Sequence, residues 1–439
     1  MRRFGFGTIS LLLMVVAPQP SVAQQAPASL ASTTILTVDQ AEAEAIGQQP
    51  RLLAAQLRAR AYAQRVREAR AGLLPTATLN VTGVRVADTG TSIASGNITT
   101  SAVSDRFAYG GNLTQLVTDF GRTGALIGAA RSTAEAGNDL ATLTRAQVRL
   151  NVREAYYQVL GAEAVLRAAR AAQANRHLIS HQLTELARSE LRSTLDVNFA
   201  RVLESEAELA VVRAQSTVAQ ARSHLATAMG RAQPITMQLA DAAAPAWLLP
   251  VAPTDLLPQA NAQRADLAAA LAQQHAAQQF ATSEKKLIYP TLNVLAAGGG
   301  IPFRDHTLHD SYAAVGFNLN IPIFNGGLFT ARRVEAELEA NARAGDVQEL
   351  KLEVNEQVRD AWYRAQEAFQ SLDVTARLVA QSQEALRLAQ ERYDVGLGSI
   401  VELNEAQLNE TSAEITAADA TYTYLSRRAE LDFSAGLLN

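Results

Sequence analysis

Ser193-Thr194-Leu195-Asp196-Val197 and Ser399-Ile400-Val401-Glu402-Leu403 are near-copies of one another, 206 positions apart (399 − 193). The same offset joins Tyr156-Tyr157 to Trp362-Tyr363, Asp119 to Asn325, Leu225 to Leu431 and Gly230 to Gly436. Upstream, an offset of 215 (290 − 75) joins Leu74-Pro75-Thr76 to Tyr289-Pro290-Thr291 and Gln64 to Gln279. The offset shortens between Pro290 and Asn325, so the second copy has the shorter connection there. Solenoid repeats have periods of roughly 20–50 residues, so this register describes two fused copies of one large unit. The copies are expected at 24–230 and 258–439, with a linker at 231–257 in the proline-rich stretch from Arg231 to Pro258.

The start of the chain carries an address. Arg2 and Arg3 precede an apolar run from Ile9 to Val16, and Ser21-Val22-Ala23 is a small-x-small site. That pattern predicts a secretory signal peptide at 1–23. The apolar run is shorter than the ~18 residues an uncleaved spanning helix needs. The chain has no cysteine, which excludes disulfides and thiolate metal sites. It also removes the acceptor for an N-terminal lipid anchor, and none is expected. A net charge of −4 offers no basic surface for nucleic acid. Only 19% of residues are charged and alanine is abundant, which suits close-packed helices. No apolar run of ~18 residues follows the signal, so membrane entry would require a closed β-barrel.

Along the chain the hydrophobic period alternates between helical and extended. From Thr37 or Asp39 a helix is expected to about Ala71, because Pro75 disfavours helix at Leu74. Then Ala77, Leu79 and Val81 alternate with Thr78, Asn80 and Thr82. Strands are expected at about 76–86 and 107–117, joined by a Gly/Ser/Thr-rich loop. About ten residues is the length of a tilted transmembrane strand. After Asp119-Phe120-Gly121 the spacing predicts one helix from about Thr123 to Ala187, with a seam at Val148, Val152, Ala155, Val159 and Ala162. Such a helix is about 100 Å long, against an ordinary length of about 11–12 residues. A turn over Arg188–Thr194 and a return helix from Asp196 to about Met229 follow, with Gly230 as the C-cap. The second copy repeats this order. It predicts a helix over Pro258–Leu287, strands at about 291–297 and 312–324 around a Gly298-Gly299-Gly300 loop, and a corner at Asn325-Gly326-Gly327. A long helix, a turn over Val395–Ser399 and a return helix from Glu402 to about Phe433 complete it.

Four strands cannot close a barrel, and an open sheet edge is not viable in lipid. Single-chain barrels start at about eight strands. Two chains would give a barrel filled by its own side chains, whereas three would give twelve strands and room for a bore. A small soluble sheet is the alternative for the hairpins. A soluble periplasmic coiled-coil scaffold or adaptor is the alternative for the whole, although adaptors carry one helical hairpin rather than two fused copies. A surface stalk would lack the duplication.

The chain resembles the TolC family of outer-membrane efflux and secretion channels. The resemblance is carried by the export signal, Leu36-Thr37-Val38-Asp39-Gln40-Ala41, Ala71-Gly72-Leu73-Leu74-Pro75, Gln115-Leu116-Val117-Thr118-Asp119-Phe120-Gly121-Arg122, Ile321-Pro322-Ile323-Phe324-Asn325-Gly326-Gly327 and Arg392-Tyr393-Asp394-Val395-Gly396-Leu397. It implies a mainly α fold with β, in which a duplicated helix–β-hairpin–long helical hairpin unit trimerises. The homotrimer would form a 12-stranded outer-membrane β-barrel on a periplasmic α-helical barrel with an equatorial belt. The implied partners are outer-membrane lipid, a periplasmic adaptor protein and, through it, an inner-membrane pump. The channel itself would be a passive duct without a cofactor.

The resemblance also assigns sites. Val395, Gly396 and Leu397 match the family's adaptor-docking tip, with Gly398 beside them. Glycines also simply permit a tight interhelical turn. The first-copy turn, Ser189-Glu190-Leu191-Arg192-Ser193, lacks glycine. Glu402 and Glu405, three apart on one helix face, fall at the family's acidic periplasmic constriction, where a trimer would present a ring of six carboxylates. Tyr393 and Asp196 match positions whose hydrogen bonds hold the aperture shut in relatives, while Gly398 stands where some relatives carry a tying arginine. The plainer reading of Asp196 and Glu402 is as helix N-terminal acids. Asp119, Gly121, Asn325, Gly326 and Gly327 mark the strand–helix corners. Catalysis finds little support. His177 and His181 are four apart, but they lack the metalloprotease pattern and read as solvated. His306 and His309 read as loop residues, and no metal is expected.

Overall fold

The computed structural model describes residues 35–85, 106–190, 193–241, 249–250, 252–303 and 309–439. The expected signal peptide and His306 lie outside the described residues. The first unit contains α1 (Val38–Gln48), α2 (Pro50–Ala71), β1 (Thr76–Val84), β2 (Arg106–Thr118), α3 (Arg122–Arg188) and α4 (Thr194–Ala228). The second contains α5 (Leu257–Gln263), α6 (Ala265–Lys285), β3 (Thr291–Phe303), β4 (Ser311–Asn320), α7 (Leu328–Asp394) and α8 (Ile400–Ser434). The duplication persists in three dimensions: α3 and α7 each have 67 residues, and α4 and α8 each have 35.

Two helices expected as continuous are broken. Pro50 has no amide hydrogen to give a preceding turn, so α1 ends and α2 starts on it, with Gln49 extended between them (φ −68°, ψ 115°). Arg264 makes the equivalent break between α5 and α6 (φ −65°, ψ 122°). Each break meets the end of a return helix. A Cβ on Gly230 would stand 3.0 Å from the Gln48 carbonyl oxygen, and one on Gly436 would stand 3.1 Å from the Arg264 nitrogen. The Gln49 side-chain amide donates to the Thr227 and Ala228 carbonyls at 3.1 and 2.9 Å, satisfying the C-terminal end of α4. So α4 abuts α2, and α8 abuts α6. The two long helices run unbroken past both joints.

In one half of the molecule α3 packs on α2 and α6, and α6 packs on α7; in the other, α3 packs on α4 and α8, and α8 packs on α7. The expected α3 seam is buried at Val148, Val152, Ala155, Val159 and Ala162, and in α7 the buried positions are Val347, Val354, Val358, Ala361 and Ala365, with Leu350, Leu372, Val379, Leu386 and Tyr393 only partly covered. At mid-length the chain folds back against these helices. Leu36 forms a parallel bridge with Leu239, and the buried Tyr156 hydroxyl lies 2.8 Å from Leu36 O and 2.7 Å from Ala240 O. Burial pushes the Tyr156 phenol up to about 12. Its counterpart Trp362 donates Nε1–H to Pro250 O at 3.0 Å. Both large aromatics of the duplicated pair therefore pin the intervening segments to a long helix. Beside them Glu42 receives Arg149 at 2.9 Å and also pairs with Arg153, which reaches Asp432 of α8 at 3.8 Å.

The strands form one antiparallel sheet in the order β1-β2-β3-β4. The glycine loop expected after residue 297 is instead strand. Gly298, Gly299 and Gly300 pair with Gly111, Gly110 and Tyr109 on one side and with Ala313, Tyr312 and Ser311 on the other. Glycine is needed there because a Cβ on Gly299 would overlap the Tyr109 carbonyl, and one on Gly300 would meet the Tyr109 ring at 2.9 Å. The last strand ends at Asn320 rather than 324, since Pro322 lacks a ladder donor. One face carries Leu79, Val81, Tyr109, Leu113, Val294, Val315, Phe317 and Leu319, and the other carries mainly Thr, Asn, Gly and Ala. Val315 is 82% exposed.

Candidate functional site: the helical tip and the strand–helix corners

The helices α3, α4, α7 and α8 converge at one end on a cluster of Leu183, Val197, Ala200, Ala389, Ile400 and Leu403, against which Tyr393 packs. At the α7–α8 turn the Leu397 N–H and Gly398 N–H both donate to Arg392 O, at 2.8 and 2.9 Å, and Gly396 N–H donates to Tyr393 O at 3.1 Å. This glycine C-terminal motif needs a left-handed residue at Gly396, whose φ is 75°. Gly398 fits here for a different reason. A Cβ there would stand 3.0 Å from the Tyr393 nitrogen and 3.1 Å from the Arg392 carbonyl carbon. Val395 and Leu397 project outward, both largely exposed.

Ser399-Ile400-Val401-Glu402 has the spacing of a capping box, and half of it forms: Ser399 Oγ accepts the Glu402 N–H at 3.1 Å. The Glu402 carboxylate turns instead to Arg392, 3.1 Å away. Glu405 is exposed and makes no ion pair among the described residues. Asp196, half-buried, occupies the first turn of α4, where Ser193 Oγ caps the Leu195 N–H. Sequence reasoning missed Arg392, although it adjoins the tip motif. It also missed Arg176, which reaches from α3 to Asn404 of α8 with Nη1 2.8 Å from Oδ1. Arg176 is buried; that burial pushes its guanidinium down, against the pull of Glu206. Asn404 lies between Glu402 and Glu405, so this bond links the first unit to the acidic segment of the second. His177 is not merely solvated: its Nδ1 lies 2.5 Å from Glu204 of α4.

At the first corner Asp119 clamps the start of α3. Its Oδ2 accepts the Thr123 N–H at 2.6 Å and the Thr123 hydroxyl at 2.5 Å, and its Oδ1 accepts the Gly121 N–H at 3.0 Å. Burial raises this carboxyl's pKa, but the hydrogen bonds from Thr123, Gly121 and Arg122 outweigh burial and hold it below 3.8. At the second corner Gly326 and Gly327 carry the turn with φ 61° and 83°, and Asn325 contributes its backbone carbonyl to Leu328 N–H at 3.2 Å.

The sequence model of the outer membrane efflux protein family matches residues 42–231 and 256–437. Outer membrane protein TolC of Salmonella enteritidis is 24% identical over 125 residues, 28% of this chain. That match spans 26%, about a quarter, of TolC's own length. Among solved structures, CusC superposes with a TM-score of 0.79 at 19% identity, over 91% of this chain and 92% of its own. VceC of Vibrio cholerae superposes with a TM-score of 0.76 at 18% identity, over 91% and 96%. At these identities the likeness is one of fold. With its family's pattern matched in two blocks over most of its length, the chain belongs to the outer membrane efflux protein family, that of TolC.

Proposed function

We propose that three copies of this chain form a passive exit duct, through which a pump–adaptor assembly passes small molecules or proteins across the outer membrane. The observation that carries this reading is the unfinished state of the chain on both flanks. Among the described residues no strand pairs with the outer edges of its sheet, β1 and β4, and its outer apolar face has the character of a lipid surface. The flanking helices are unfinished as well: α4 exposes Leu195, Phe199, Val202, Leu209 and Val212, and α7 exposes Leu338, Leu352, Val374, Leu378 and Leu388. A rotation about one axis would bring β4 to a neighbour's β1 and α7 to a neighbour's α4, closing both barrels at once. Four strands from each of three chains give twelve.

The charge distribution supports a division of labour. The four strands hold one charged residue, Arg106, so their bore exerts little charge selection. Discrimination falls to the tip, where Glu402 and Glu405 recur in each copy, with Tyr393 and Asp196 beside them. The exposed Val395–Gly396–Leu397 turn is the docking surface for the adaptor, and Gly398 packs that turn against α7. In planar bilayers the purified protein should give discrete, cation-preferring conductance steps. Replacing both Glu402 and Glu405 with Gln should lower that preference several-fold. A protein that inserts but never conducts would contradict the duct. Unchanged selectivity in the double variant would remove these two residues from the constriction.

A further inference from the structure

The two faces of the sheet differ in more than polarity. Apolar side chains identify one as the lipid face, so Tyr312, Asn112, Thr78 and Asn318 face the bore. Among the bore-facing residues Gly110 is buried, although no second layer of described residues covers the sheet. What covers it is the side chain of Tyr312. Tyr312 pairs directly with Gly299 across β3–β4, and Gly299 pairs with Gly110 across β2–β3. The tyrosine therefore reaches sideways over two strands. A Cβ on Gly110 would overlap the Tyr312 hydroxyl and stand 3.2 Å from its ring carbon Cζ, and a Cβ on Gly299 would stand 2.9 Å from that hydroxyl. Without a Cβ at either position the aromatic side chain lies along the wall; with one, it has to rise from it.

Resting on the duct reading, we propose that Gly110 and Gly299 form a bed that holds Tyr312 flat, and that this sets the free width of the outer part of the bore. The location follows from strand direction. β1 leaves α2 at Thr76 and β4 starts at Ser311, so Tyr312 lies at the end of the sheet remote from the helices. Three such side chains, one per copy, form a ring. Lying down, they leave the bore wide and present aromatic faces to the cargo; standing up, they obstruct it.

The chain has no cysteine, so a single reporter can be placed cleanly. Asn112→Cys puts a thiol on the bore face, inward of the ring, opposite Thr78 and Ala297. The reporter is labelled with maleimides of graded size added outside intact cells, after trimer formation is verified for each variant. In the Asn112→Cys parent, both small and bulky reagents should react. Adding Gly110→Ala should slow the bulky reagent several-fold and leave the small one unchanged, and adding Tyr312→Ala to that variant should restore the rate. Gly110→Ala conflicts chiefly with the far end of a flexible side chain; its next neighbour, Gly298 O, is 3.1 Å away. Should that variant not assemble, Tyr312→Ala alone should leave the bulky-reagent rate close to the parent's, and a several-fold rise overturns the inference, because the tyrosine would then already stand in the bore. Equal bulky-reagent rates in the parent and in Gly110→Ala, or slowing that persists without Tyr312, would also overturn it. A parent thiol that reacts with no reagent of any size would overturn the duct reading, and the inference with it.

Discussion

The two halves of this chain reach the same backbone by different side chains. Among the described residues the left-handed ones fall into pairs 206 apart: Phe120 (φ 55°) with Gly326 (61°), Gly121 (82°) with Gly327 (83°), Glu190 (59°) with Gly396 (75°), and Gly230 (78°) with Gly436 (78°). In the second copy every such position is glycine. In the first, Phe120 and Glu190 occupy a region that costs a residue with a Cβ about 1–2 kcal/mol. At the first corner the compensation is visible in Asp119, whose carboxylate ties Thr123 and Gly121, where Asn325 shows only its backbone bond among the described residues. At this corner strain is held by specific hydrogen bonds in one copy and avoided by glycine in the other.

The sharpest way to break the comparison is at the tips. Gly396→Asp should abolish export with trimer yield unchanged, while the equivalent Glu190→Asp should leave export close to the parent. Equal loss at both tips would mean that the adaptor reads the two copies alike. Next in size is the corner. Asp119→Asn should lower stability by about 1–2 kcal/mol, measured as a lower unfolding midpoint in detergent, and Asn325→Ala by clearly less. The sign with pH follows from the lowered carboxyl. Its stabilisation is present above the ordinary value of 3.8 and is lost as pH falls through the lower folded-state value, so the gap between parent and Asp119→Asn should close on acidification. A gap that widened in acid would show that the carboxylate is not the stabilising form.

Smaller effects test the strain itself. Glu190→Gly should raise stability by about 1 kcal/mol, and Gly396→Ala, with nothing within 4 Å of the new methyl, should lower it by a similar amount through backbone alone. Smallest is Arg392→Gln. The exposed Arg392–Glu402 pair contributes at most about 1 kcal/mol to stability, so melting should barely move. Cation preference should nonetheless rise, because the arginine no longer offsets the Glu402 carboxylate.

Much of this architecture is legible in the sequence. The offset of 206, the change from helical to alternating period at Pro75, and the absence of proline from residues 138–187 gave the hairpins, the long helices and their order. The glycines were harder. Gly298-Gly299-Gly300 has the composition of a loop, and only the register with Tyr109 and Tyr312 shows that it is strand interior with aromatic side chains laid on it. The break at Pro50 had a local signal; the break at Arg264 had none, because it is imposed by the end of α8 meeting α6. Arg392 and Arg176 were invisible for the same reason: their partners, Glu402 and Asn404, are brought to them by a turn and by a neighbouring helix. At the tip the sequence located the segments, and packing decided the pairings.

The most direct measurement is the protein mass of the species extracted by detergent from an outer-membrane fraction. Strand edges without a neighbour among the described residues and exposed apolar flanks on α4 and α7 predict three copies of the chain, insoluble once detergent is removed. A monodisperse monomer that stays soluble without detergent would contradict the shared barrel on which the whole account stands.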